Sequence, residues 1–393
     1  MEATTAFEDY FKDRVVKLGT HVKSGTEDQI LSDLHRARLV CVNYELLKRF
    51  FPFVKQAKLD TIILDESHSI KNPTAQKTQY LLDNRDHFAH RLLLSGTPIK
   101  NRAEEFATQL KFLGLEDVGD VGSMPPGKLW NLMQEKNLYL RRNIKVELPH
   151  LRFREPEVVE ANDAPDSLRG INSGFKVKML DSKGKDSIRD IVTDALRETA
   201  LFKAPYSAAL AKKLTNHHEQ DKIIIMTERV ECAEEIYEAL DLYGIYDQAL
   251  LHHGSLSDSE RASIIESFSR MEAGSPRILV STRPSIGVGI NLQCANRVIF
   301  NDLAWTPADI LQAAARTKRL NQRKEVFEYW ILADTYFDAN LVEILQRKLH
   351  LMRLYGEGKN ISEEDQKWMN QRVTFKDIYY GLNSDSAPVD ETA

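Results

Sequence analysis

The sequence predicts an α/β protein of two lobes, each built on a parallel sheet covered by helices. Short apolar runs rich in β-branched residues alternate with stretches of helical periodicity. The alternation lapses between residues 150 and 190, where Gly, Pro, Lys and Asp interrupt it, and then resumes. At 393 residues the chain also exceeds what one small core organises, so two domains with connections are expected.

Residues 1–30 are polar and mixed, with Phe7, Tyr10 and Phe11 spaced for a short amphipathic helix. ARLVCV (37–42) reads as a strand, and Asn43-Tyr44-Glu45-Leu46-Leu47 as the start of a helix. TIIL (61–64) is apolar with two isoleucines, the pattern of a buried parallel strand. Helical sequence over 75–82 leads to the strand HRLLL (90–94), then SGTP (95–98), then a helix over 103–113. The Gly-, Pro- and Asp-rich stretch 114–128 reads as a surface loop, and 129–140 as helix. The second set has a long helix ending at His217, the strand KIIIM (222–226), a helix over 233–243 and a strand at 249–252. A helix over 257–271, strands at 277–280 and 297–300, a helix over 307–320 and the strand VFEYWIL (326–332) complete it. The expected division is a first lobe over 1–149, a linker over 150–190, a second lobe over 191–345 and a helical, then flexible, tail over 346–393.

Composition narrows the function classes. With 42% hydrophobic and 28% charged residues the chain is expected to be a soluble globular protein. No apolar run approaches the ~20 residues that span a bilayer, and MEATTAFEDYFKD is not a secretory signal. Cys41, Cys232 and Cys294 are too scattered for a disulfide framework or metal spacing, and read as core thiols of a reducing compartment. His252-His253 reads as structural. A net charge of −5 gives no global attraction for nucleic acid, so any such contact must come from local patches.

Chemistry concentrates where TIIL ends in Asp65-Glu66-Ser67-His68. Ligands of open α/β sheets bind beyond the carboxyl ends of the strands. An Asp there can hold Mg²⁺ through hard oxygens, and an adjacent Glu can orient or deprotonate a water. An ordinary surface turn would carry the same two acids. Gln312, Arg316 and Arg319 stand at i, i+4 and i+7, one face of a helix, where two guanidiniums can neutralise charge on a phosphate. A solvated basic stripe that includes Lys318 and Arg323 is the alternative. Gly287 and Gly289 would let a backbone approach a phosphate or a DNA strand.

Five stretches, in order, resemble the Swi/Snf-like DNA translocases of helicase superfamily two. TIILDESHSIKNPTAQKT resembles their "DEAH…KN" element, and LLLSGTPIKNRAEEF their SGTP element with "P-x-x-N-x-x-E-E". LYLRRNIKVELP resembles the basic segment that closes the first lobe. HHGSLSDSERASIIESF, with Gly254, Arg261 and Phe268, resembles an element of the second lobe. STRPSIGVGINLQCANRVIFNDLAWTPADILQAAARTKRLNQ resembles the long closing signature, with Ile286 where the family usually has Gly. The resemblance covers residues 37–335 and implies two RecA-like lobes, ATP and Mg²⁺ as cofactors, and duplex DNA as partner. It implies Asp65 on Mg²⁺, Glu66 polarising water, and Arg316 with Arg319 as arginine fingers. His68, Gly287, Gly289 and Gln312 would meet nucleotide, while Ser95, Gly96 and Thr97 would couple that site to DNA. Asn72, Lys100, Arg141, Arg142 and Gly254 would contact DNA, with Lys145 beside them; for the polar residues of this group, ordinary solvated surface is the equal alternative.

One part of such a site is not spelled out. No G-x-x-x-x-G-K-[ST] phosphate loop precedes Asp65. Gly122 to Lys128 matches the spelling, but it follows the SGTP element, contains Pro-Pro, and puts Leu129 where Mg²⁺ needs a hydroxyl. The expectation is therefore a first lobe incomplete at its N-terminal side, with an exposed strand edge that a partner polypeptide or an upstream segment covers. Two functions stay open: an ATP-dependent translocase on duplex DNA, intracellular and DNA-associated (prokaryotic cytoplasm or nucleus), or a hydrolysis-deficient DNA-binding regulator derived from one.

Overall fold

The computed structural model describes residues 14–19, 27–95, 104–115, 121, 124–136, 151–153, 157–159, 185–218, 220–286, 290–304, 307–317, 322–333, 335–356 and 362. The chain forms two compact units, residues 1–140 with 351–372, and 141–350 with 373–393. The short helix expected around Phe7–Phe11 lies outside the described residues.

In the first unit β1 (Val15–Leu18) pairs in parallel with β2 (Leu39–Val42), and β3 (Thr61–Leu64) with β4 (His90–Leu93). Helices Glu27–Arg36, Leu47–Gln56 and Gln76–Asp83 make the connections, and Glu104–Phe112 and Pro126–Glu135 follow. The helix Leu47–Gln56 serves two cores because neighbouring side chains on a helix point about 100° apart. Phe50 packs with Leu18, Ile30 and Leu34, while Phe51 and Val54 pack with Leu64, Ile70, Leu81 and Phe112. Among the described residues, one face of the β3–β4 pair is about half open. Ile63 and Leu92 face each other in register, 46% exposed each, and Leu94 is 49% exposed.

β1 and the helix Glu27–Arg36 fall in or beside the stretch read as merely polar and mixed. VVKL is too short to show a period, and its partner β2 lies more than twenty residues on. The helix expected over 129–140 begins at Pro126, where proline suits the first turn, and ends at Glu135. Gly127 and Lys128 lie in that first turn, in no loop after a strand.

The second unit carries a seven-stranded, all-parallel sheet. Its order is β5 (Leu151–Phe153), β11 (Val326–Ala333), β10 (Arg297–Phe300), β7 (Ile223–Thr227), β9 (Ile278–Thr282), β8 (Ala249–His252), with β6 (Glu157–Val159) also on β11. The central strands are apolar on both faces. Ile224, Met226, Leu279, Val298 and Phe300 enter one core, and Ile223, Ile225, Ile278, Val280 and Ile299 enter the other. The helix Lys185–His217 brings Ala204, Ala208 and Ala211 against the second face with helix Val230–Leu242. Helices Asp258–Ser269, Pro307–Ala314 and Tyr336–Gly356 supply Phe268, Ile310 and Ile344 to the first. β5 and β6 lie in the stretch expected to be linker; each is three residues long and gains its identity only by pairing with β11.

The connections leave the neighbouring strands β7 and β10 in opposite senses: β7 leads to β8 on one side and β10 to β11 on the other. Such a switch point opens a crevice at the carboxyl ends of the strands.

Candidate functional site

In the first unit the end of β3 gathers four of the expected residues. Asp65 is exposed, and its Oδ1 accepts the Glu66 N–H at 3.0 Å, which fixes the carboxylate's rotamer. Glu66 takes the left-handed conformation, φ 48° and ψ 54°, rare for a residue with a side chain. The Tyr44 hydroxyl, from the loop after β2, donates to the Asp65 carbonyl at 2.8 Å. Burial first, then the carboxylates of Asp65, Glu66 and Glu45, push the Tyr44 phenol up, so it stays protonated and donating. The buried ring of His68 has Nδ1 3.3 Å from Glu66 Oε2 and 3.5 Å from Ser95 Oγ.

The loop is anchored from below. Ser67 N–H donates to the Leu94 carbonyl at 2.9 Å and Ser67 Oγ to Gln109 Oε1 at 2.7 Å, while Lys71 pairs with Glu105 at 3.2 Å. Asn72 is exposed, and its Oδ1 accepts both the N–H and the hydroxyl of Thr74, a local turn. Among the described residues no cluster of three or more His, Cys, Asp or Glu could hold a metal ion. One oriented, exposed carboxylate fits Mg²⁺, which keeps most of its waters and takes other oxygens from phosphate.

In the second unit Gly254 lies on the exposed loop after β8, just before a helix closed by a Ser257–Glu260 capping box. Gln312 lies on Pro307–Ala314. Arg316 does not extend that helix as expected; the chain tightens into a turn at Ala314. Arg316 and Thr317 N–H donate to the carbonyls of Ala313 and Ala314, three residues back, and the Thr317 hydroxyl also takes Ala314 O at 2.8 Å. Gln322, the last residue of the long signature, is a buried tie whose amide donates to the carbonyls of Gln293, Ala295 and Thr317. Gly96, Thr97, Lys100, Arg141, Arg142, Gly287, Gly289 and Arg319 lie outside the described residues.

The crevice at the switch point holds a network that sequence reading missed. Arg283, 7% exposed, donates to the Asp302 carbonyl at 2.5 Å, to Asp302 Oδ1 at 3.3 Å and to Glu228 Oε2 at 2.5 Å. Asp302 also accepts the Glu228 N–H and the Thr227 hydroxyl. These residues follow β7, β9 and β10, the same strand-end signal that singled out Asp65. Beside them buried His252 meets Ser281 Oγ at 2.9 Å and Ser285 Oγ at 3.1 Å, in keeping with its structural reading. Burial first, then Arg261 and His253, push its imidazole down to about 4.

Residues 4–124 match the SNF2-related domain model, and 206–321 the helicase conserved C-terminal domain model. The chain belongs to the Swi/Snf-like family of helicase-type ATPases. A Drosophila melanogaster SWI/SNF-related matrix-associated actin-dependent regulator of chromatin subfamily A-like protein 1 is 25% identical over 81% of this chain and 44% of its own length. The mouse DNA annealing helicase and endonuclease ZRANB3 is 24% identical over 78% of this chain and 31% of its own. An uncharacterized ATP-dependent helicase of Mycoplasma pneumoniae is 25% identical over 80% and 32%. The chain thus spans less than half the length of these relatives. The Sulfolobus solfataricus SWI2/SNF2 ATPase core solved with dsDNA covers 95% of this chain and 85% of its own, at 19% identity and a TM-score of 0.42, too loose to compare residue with residue. No helix among the described residues is long and apolar enough to cross a membrane.

Proposed function

We propose that this chain is the larger part of an ATP-dependent translocase on duplex DNA, completed by a polypeptide segment that supplies the phosphate-gripping loop. The observation that carries the reading is the gathering of Asp65, Glu66, His68 and Ser95 at the carboxyl end of β3. In this reading Mg²⁺ supplies charge neutralisation at the γ-phosphate when bound. Asp65 offers it an oriented oxygen, and Glu66 polarises the attacking water. His68, with its ring nitrogen between Glu66 and Ser95, links the acids to the SGTP segment, where Ser95, Gly96 and Thr97 pass the state of the nucleotide site to the DNA groove. Gln312, Arg316 and Arg319 are assigned to contact with nucleotide, and Gly287 with Gly289 to close approach of backbone to phosphate. Asn72, Lys100, Arg141, Arg142 and Gly254 hold the DNA backbone.

The half-exposed side of β3–β4, with Ile63, Leu92 and Leu94, supports the covering segment. The lack of a phosphate loop ahead of Asp65 keeps one rival, a regulator that grips duplex DNA without hydrolysis. ATP hydrolysis by the purified chain, with and without duplex DNA and beside Glu66→Gln, is the first test. Little turnover together with salt-sensitive duplex binding is expected. Adding a polypeptide that carries the phosphate loop and its strand should then give DNA-stimulated turnover that Glu66→Gln abolishes. Duplex binding with no restored turnover selects the regulator, and no duplex binding sinks both readings.

A further inference from the structure

Resting on the reading of Asp65 and Glu66 above, we infer that Tyr44 is a positioning residue: its hydroxyl fixes the peptide between the two acids, holding Glu66 in its left-handed conformation and both carboxylates at the end of β3. That peptide is held at both polar ends. Its carbonyl accepts the Tyr44 hydroxyl at 2.8 Å, and its N–H donates to Asp65 Oδ1 at 3.0 Å. Turning the peptide plane changes ψ of Asp65 and φ of Glu66 together, so the Tyr44 bond also places the N–H that Asp65 Oδ1 accepts. Left-handed backbone at a residue with a Cβ persists only where its surroundings impose it. Among the described residues two non-glycines have positive φ, Lys58 and Glu66, and only Glu66 lies at the candidate site.

Tyr44 is itself braced. Lys77 Nζ lies 5.7 Å from the ring centroid and 3.0 Å from Glu45 Oε1, and the ring packs against the apolar cluster of Leu47, Phe51 and Leu64.

Tyr44→Phe deletes the hydroxyl and keeps the ring, and two readouts test the idea on the whole chain. The first is binding of Mn²⁺ alone, followed by the loss of the free-ion paramagnetic signal. Asp65→Asn should weaken it tenfold or more, and Tyr44→Phe by about threefold to tenfold, the range one net hydrogen bond spans. The second is thermal unfolding in three backgrounds. Tyr44→Phe should lower Tm in the wild type and equally in Lys58→Gly, but much less in Glu66→Gly, where glycine adopts the left-handed conformation freely. Unchanged Mn²⁺ affinity in Asp65→Asn overturns the reading of the acids and this inference with it. Weakening by Asp65→Asn but not by Tyr44→Phe leaves that reading standing and removes Tyr44 from it. An equal loss of Tm in all three backgrounds makes the hydroxyl a local structural bond and overturns the inference.

Discussion

Gly254 stands on an exposed loop where a Cβ meets nothing within 4 Å, and its backbone is not among the left-handed glycines Gly114, Gly244 and Gly274. Neither packing nor φ therefore demands glycine there. Gly254→Ala should change stability by no more than about 0.5 kcal/mol, with any gain arising from a stiffer unfolded chain. Under the proposed function the added methyl stands where a phosphate approaches. Duplex affinity, read by fluorescence anisotropy at two salt concentrations, should fall while Tm holds; undiminished affinity removes Gly254 from the DNA set. His252 makes a different kind of prediction. Its folded pKa, about 4, lies below the ordinary 6.5, so the unfolded state binds more protons between those values. Its contribution is full above pH 6.5, is lost as pH falls from there toward 4, and amounts to on the order of 3 kcal/mol. Chemical denaturation from pH 7 to 4 should show that slope, and His252→Gln should flatten it. An identical slope in the variant assigns the acid sensitivity to other groups.

Among the elements, the long helix Lys185–His217 is fastened to Tyr336–Gly356 by a buried pair, Lys203 Nζ to Asp338 Oδ2 at 2.7 Å, with side chains 1% and 5% exposed. Asp338 Oδ2 also accepts the Ala333 N–H at 2.9 Å, so the pair ties both helices to the end of β11. Lys203→Met leaves a buried carboxylate without its cation and should cost about 3–5 kcal/mol, whereas a Lys203→Met/Asp338→Leu double variant should recover part of that. Equal losses in both variants would mean that packing, not charge pairing, holds the junction. None of this pairing was legible in the sequence, because 135 residues separate the partners. The strands of the second sheet's core were legible because strands buried on both faces read as unbroken apolar runs, as IIIM and RVIF do. β1, β5 and β6 were not, since runs of three or four residues become strands only through their partners. The helix end at Ala314 was misplaced because the Thr317 hydroxyl competes for a carbonyl in a stretch of otherwise good helix formers. At the site, Asp65 and Glu66 were legible as acids at a strand end. The left-handed turn of Glu66 was not, because it depends on Tyr44, which the chain brings back over 21 residues. The Arg283–Asp302–Glu228 network needed the sheet order β9-β7-β10 to assemble it.

For the molecule as a whole, a net charge of −5 removes bulk attraction to DNA and leaves binding to local groups, and among the described residues an exposed apolar pair lies elsewhere, on β3–β4. Ile63 and Leu92 sit side by side in register and Leu94 follows, each close to half exposed, on a parallel pair of the kind that folded proteins cover on both faces. Fully burying one such side chain is worth about 1.5–3 kcal/mol, so roughly half of that per residue is still available to whatever covers them. Replacing Ile63, Leu92 and Leu94 together by Thr keeps strand propensity and removes the apolar surface. If the side is bare in solution, the triple variant should keep its Tm within a few degrees, bind less of a hydrophobic dye, and scatter less light as concentration rises. The same variant should also lose any turnover that an added phosphate-loop segment restores to the wild type, while its duplex affinity stays intact. A large fall in Tm would show that these residues are already packed in the chain by itself. The covering segment would then have no place to dock, and the chain would stand nearer to the regulator than to the motor.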